Sequence, residues 1–143
     1  MSPFFDHSRD ELRRGWLDAW RRGRDGLPLT PLEAQLVDVL QGHPEYHAWL
    51  EQGERALTAE FTPESGVGNP FLHLSMHLAL REQVGTDRPA GITLIHARLA
   101  ARHGQMEAEH RMMEALGRAI WEAQRAARLP DEQAYLEDLR RLA

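Results

Sequence analysis

Apolar residues recur at intervals of three and four along most of the chain, the period of amphipathic helices, and no run alternates as a half-buried strand does. Leu12, Trp16, Ala19 and Trp20 form one such stripe, opened by Ser8 and Glu11 as a capping box and closing between Gly23 and Gly26. Arg21, Arg22 and Arg24 fall in its last turn, where the helix dipole favours cations. A second box, Thr30-Pro31-Leu32-Glu33, opens a helix with Leu32, Leu36, Val39 and Leu40 on its apolar face and Gly42 at its end. His43 and Pro44 restart the chain as a third helix, which carries Tyr46, His47, Trp49 and Leu50 and is expected to end around Leu57.

Residues 61–68, rich in Gly and Pro, read as the one substantial loop. Asn69 and Pro70 then cap a helix in which residues 71–80 are apolar on nearly every side, the pattern of a central, buried helix. A break at residues 86–89 precedes a helix bearing Ile92, Ile95 and Leu99, which Gly104 stops. A long helix follows from about Gln105 to Ala127, with Met106, Met113, Leu116 and Ile120 expected inward. Pro130 and Asp131 open a last short helix with Tyr135, Leu136 and Leu139. The expected fold is all-α, a single-domain antiparallel helical bundle of six or seven helices over residues 1–143.

Length and composition narrow the class of function. A chain of 143 residues fits one domain. Lys plus Arg number 17 against 22 Asp plus Glu, a net charge of −5, which argues against sequence-independent nucleic-acid binding because that needs a basic surface. No stretch approaches the roughly 18 apolar residues of a membrane span. The opening residues show no basic lead before an apolar core, so a cytoplasmic location is expected. The absence of Cys removes disulfides, thiolate zinc sites and cysteine nucleophiles. Phosphate-binding Gly-rich loops, G-x-S-x-G elbows and dinucleotide fingerprints are missing as well.

Histidine is where the composition points, since the 8 His outnumber Phe and Tyr together. His73 and His77, four apart, share one face of the apolar helix, and their imidazoles can converge on one ion. The spacing lacks the Glu of the zinc-protease motif, which sets that chemistry aside. Glu107-Ala108-Glu109-His110 contains the Glu-x-x-His unit of di-iron carboxylate bundles, and helical geometry selects His110 and Glu114 as the inward pair. His43 and His47 repeat the four-residue spacing, with His47 the better ligand candidate because His43 at a cap serves the backbone.

The expected metal ligands are therefore His73, His77, His110 and Glu114, with His47 as a further one, around a transition metal ion such as Fe, Mn, Zn or Ni. The expected partners are that ion and either a second copy of the chain or another protein, with neither nucleic acid nor membrane. The alternative is a non-catalytic interaction module in which the histidines are structural core groups and the four Trp are core or interface anchors.

Taken in order, L-T-P-L-E-A, H-P-E-Y-H, N-P-F-L-H-L-S-M-H-L-A-L-R-E-Q, E-A-E-H and W-E-A-Q-R resemble a bacterial family, domain of unknown function 1841. The resemblance runs nearly end to end and implies one full-length domain of bacterial, cytosolic origin. It assigns no catalytic residue, so the site reading rests on the chemistry of the side chains.

Overall fold

A computed structural model describes residues 9–59 and 69–143. Ser8, His7 and the expected loop at 61–68 lie outside the described residues. Every regular element among them is helical: α1 (Arg9–Arg24), α2 (Pro31–Gln41), a 3-10 turn (Pro44–Tyr46), α3 (His47–Leu50), α4 (Glu54–Thr58), α5 (Pro70–Thr86), α6 (Ile92–His103), α7 (Gln105–Arg125) and α8 (Glu132–Leu142). No helix among the described residues is long and apolar enough to cross a membrane.

The all-α expectation holds, but with eight helices among the described residues rather than six or seven. The extra one comes from the segment after His43, expected as a single helix to Leu57. Gly53 adopts φ +65°, ψ −123°, a conformation closed to residues with a Cβ, and it divides α3 from α4. Three of the caps read from sequence, at Thr30, Asn69 and Asp131, are in place. The Thr30 hydroxyl accepts from the Glu33 N–H at 3.1 Å while Glu33 Oε1 accepts from the Thr30 N–H at 2.8 Å. Asn69 Oδ1 accepts from the N–H of Phe71 and Leu72, and Asp131 Oδ1 from that of Ala134.

The helices gather into two compact units that meet in sequence within α5, the first ending at Leu78 and the second starting at Ala79. In the first, α1 packs on α2 and α4. Its core is Trp16, Ala19, Leu36, Val39, Leu40, Leu50, Ala56, Phe71, Leu74 and Leu78. Buried Trp16 donates its indole N–H to the Ser75 hydroxyl at 3.4 Å. Arg13, also buried, donates to the carbonyls of Leu57 and Ala59 at 3.1 and 2.7 Å and lies over the Phe71 ring. These bonds serve the last carbonyls of α4, which no helical N–H reaches. Leu32, expected on the buried face of α2, is instead 40% exposed in its first turn.

In the second unit, α6, α7 and α8 pack on one another, and Gly104 alone links α6 to α7 at φ +83°. Ile92, Ile95, Leu99, Met112, Met113, Leu116, Tyr135, Leu136 and Leu139 are buried, as the spacing predicts for most of them. Ile120 is a correction: it is 40% exposed near the C-terminal end of α7. The buried arc of that helix centres on Met112, Leu116 and Ala123, a strip whose alanines carry too little apolar weight to stand out in sequence.

The start of α6 has a remote cap. Gly91 precedes it without a side chain, and Asp87 supplies the missing acceptor: its Oδ1 receives the N–H of Gly91 and Thr93, each at 3.1 Å. The Thr93 hydrogen bonds, more than that from Gly91, hold the Asp87 carboxyl below its ordinary value of 3.8. A carboxyl depressed by folding stabilises the native state above its unfolded value, and that contribution disappears as pH falls through the folded one. Asp87→Asn keeps an acceptor and tolerates the φ of +51° but loses the charge. Its melting midpoint is expected a few degrees below wild type at neutral pH. In a pH series of thermal melts the two curves should converge below pH 3.8; a gap unchanged by acid would refute the charge-based account.

Candidate metal centre

Three imidazoles of the first unit meet in its interior. Two come from α5, where Phe71, Leu74 and Leu78 anchor the helix in the core and bring His73 and His77, one turn apart, onto the same side. The third is His43, just past the end of α2. There the chain doubles back: the His43 backbone N–H donates to Leu40 at 3.0 Å, and its ring Nδ1 lies 2.8 Å from the Val39 carbonyl. A carbonyl only accepts, so His43 Nδ1 carries a proton, and in the neutral ring the lone pair is then at Nε2.

That lone pair faces the α5 rings. His73 Nε2 lies 3.1 Å from His43 Nε2 and 3.3 Å from His77 Nε2. The three rings stand edge to face, with centroids 5.0, 4.6 and 4.9 Å apart. His43 and His77 are 1% and 0% exposed, and His73 is partly buried. One ligand nitrogen from each lies within 4.8 Å of the others. Tyr46 stacks parallel on His43 at 5.5 Å, and partial burial, aided by Glu45, pushes its phenol above the ordinary value.

The structure brings together some of the residues read from sequence in this region and separates another. His73 and His77 converge as the spacing predicts. His47 does not join them. Its Nε2 lies 2.8 Å from the Leu40 carbonyl and its ring packs on Trp20 at 4.4 Å, so it serves the end of α2. His43 takes the place expected of it, because its own backbone bond uses Nδ1 and leaves Nε2 for the cluster. Glu33 is a capping residue, as expected.

His110 and Glu114 belong to α7 of the second unit. His110 is partly buried, its Nδ1 3.8 Å from Glu107 Oε2, one turn earlier. Glu114, expected to face inward, is exposed, since it lies opposite the arc of Met112, Leu116 and Ala123. The buried carboxylate of this helix is Glu109, at 1% exposure, which sequence reasoning missed. Arg81 donates its Nε–H to both Glu109 oxygens, at 3.0 and 3.2 Å. Glu109 sits one turn before Met113 and within the arc of Met112 and Leu116, which is the signal that would have revealed it.

The helices and these rings define an all-α protein with a buried histidine cluster. Its family is shown by the chain as a whole: residues 8–141 match the family model described as Domain of unknown function (DUF1841), and the chain belongs to that family. No curated protein and no solved structure matches it.

Proposed function

We propose that this protein binds a transition metal ion through Nε2 of His43, His73 and His77. The observation that supports the reading is the position of His73 Nε2, 3.1 Å from one imidazole nitrogen and 3.3 Å from another. One N–H points along one direction and cannot donate linearly to both. A cation among the three nitrogens has no such conflict, because it draws on every lone pair at once. Metal–nitrogen bonds of about 2.0–2.1 Å set neighbouring ligand nitrogens roughly 2.9–3.4 Å apart, from an octahedral edge to a tetrahedral one. The two spacings from His73 Nε2, 3.1 and 3.3 Å, fall inside that range. The Val39 carbonyl supplies the outer hydrogen bond that fixes the tautomer of a ligating imidazole. Once bound, the ion would supply Lewis acidity, redox or oxygen chemistry according to its identity.

Elemental analysis of untagged protein tests the proposal. The expected result is close to one equivalent of a transition metal per chain. Adding that ion at about a hundred times its dissociation constant to metal-stripped protein should stabilise the fold by about 2.7 kcal/mol. Less than about a tenth of an equivalent, with no thermal response to Fe, Mn, Zn or Ni, would overturn it.

A second reading, a protein-interaction module, is favoured by a separate observation in the second unit. Trp121 and Leu129 are 56% and 86% exposed where α7 gives way to α8, beside a shallow groove lined by Ile120, Ala123, Ala127 and Pro130. Exposed aromatics of this kind are frequent at protein interfaces. Under this reading, with the histidines as ordinary core groups, Trp121→Ala changes the oligomeric state or partner binding, and no metal accompanies the purified chain.

A further inference from the structure

Resting on the metal reading, we infer that the site formed by His43, His73 and His77 selects late first-row divalent ions, Co2+, Ni2+, Cu2+ and Zn2+, against Mn2+ and Mg2+. The donor atoms carry the argument. Among the described residues of the first unit, no Asp or Glu joins the three rings. The three proposed donors are imidazole nitrogens, of intermediate softness. Affinity for such donors climbs from Mn2+ through Co2+ and Ni2+ to Cu2+, with Zn2+ also well above Mn2+. Mn2+ and Mg2+ are held in proteins chiefly by carboxylate, carbonyl and water oxygens.

Two further features act in the same direction. His43 and His77 are closed to solvent, so an entering ion must give up water. Mg2+ dehydrates reluctantly and retains several waters even when bound. The hydrogen bond from His43 Nδ1–H to Val39 also raises the basicity of Nε2, which strengthens bonds to ions that accept electron density from nitrogen. A hard ion gains less from such a donor.

The test is a set of calorimetric titrations of the untagged, metal-stripped full chain with the chlorides of Zn2+, Ni2+, Co2+, Mn2+ and Mg2+. One equivalent of Zn2+ should bind at least about a hundredfold more tightly than Mn2+, with no saturable uptake of Mg2+. Co2+ should give a visible absorption band that His43→Gln and His73→Gln each remove. Mn2+ binding within about tenfold of Zn2+ would overturn the selectivity while leaving the metal site standing. Failure of every ion to saturate would instead remove the metal site itself. Unchanged Zn2+ affinity and Co2+ absorption in both variants would place the ion elsewhere and sink the inference as well.

Discussion

Replacing His77 with Gln is expected to release the metal and to abolish the rise in melting temperature that added ion gives the wild-type protein. Gln keeps most of the side-chain length and can still form hydrogen bonds in the interior. It lacks an imidazole nitrogen beside His73 Nε2, 3.3 Å away in the native arrangement. The metal-dependent stabilisation, about 2.7 kcal/mol at a hundred times the dissociation constant, should therefore vanish from the variant. Metal-free wild type and metal-free variant should melt close together, because the loss lies in binding rather than packing. Paired melts with and without ion decide the matter: equal destabilisation in both conditions would make His77 a structural core residue.

The second large effect is expected in the other unit, at the Arg81–Glu109 pair. Glu109 is 1% and the Arg81 side chain 12% exposed, so both charges have largely left water, and the Arg81 Nε–H bridges the two carboxylate oxygens at 3.0 and 3.2 Å. Arg81→Met removes the guanidinium and leaves a buried carboxylate without that contact, which should cost about 3–5 kcal/mol. The double variant Arg81→Met with Glu109→Met should recover much of the loss, since an apolar pair of similar size needs no compensation for desolvation. Denaturant unfolding of wild type, both single variants and the double variant measures the coupling. Losses that simply add in the double variant would show that the pair does not act as a unit.

Both sites show how far local sequence carries. The N-terminal caps at Thr30, Asn69 and Asp131 were legible because each depends on hydrogen bonds spanning only a few residues. The apolar character of residues 71–80 likewise foretold burial for Phe71, Leu74, His77, Leu78 and Leu80, though not for Leu72 at 60% exposure, and with it the convergence of His73 and His77. The choice between His43 and His47 was not legible, since both lie near the same break with the same spacing. It turned on which carbonyl each ring reached: Val39 takes His43 Nδ1, whereas Leu40 takes His47 Nε2. Glu109 escaped the sequence pattern, and Glu114 read as inward, for a different reason. The weight given to Met113 and Ile120 rotated the inferred inward face of α7 by roughly a right angle, at about 100° per residue.

Period, caps and punctuation thus determined by themselves that the chain is helical, where most helices begin, and that the α5 histidines share a buried face. Such information is carried by interactions between residues close in sequence. Only the tertiary structure decided that His43 completes the cluster, that His47 serves a helix end, and that the buried carboxylate is Glu109 beside Arg81. Those outcomes depend on which side chains from distant segments share one dehydrated space, where an unmatched polar atom is costly and each partner restricts the next.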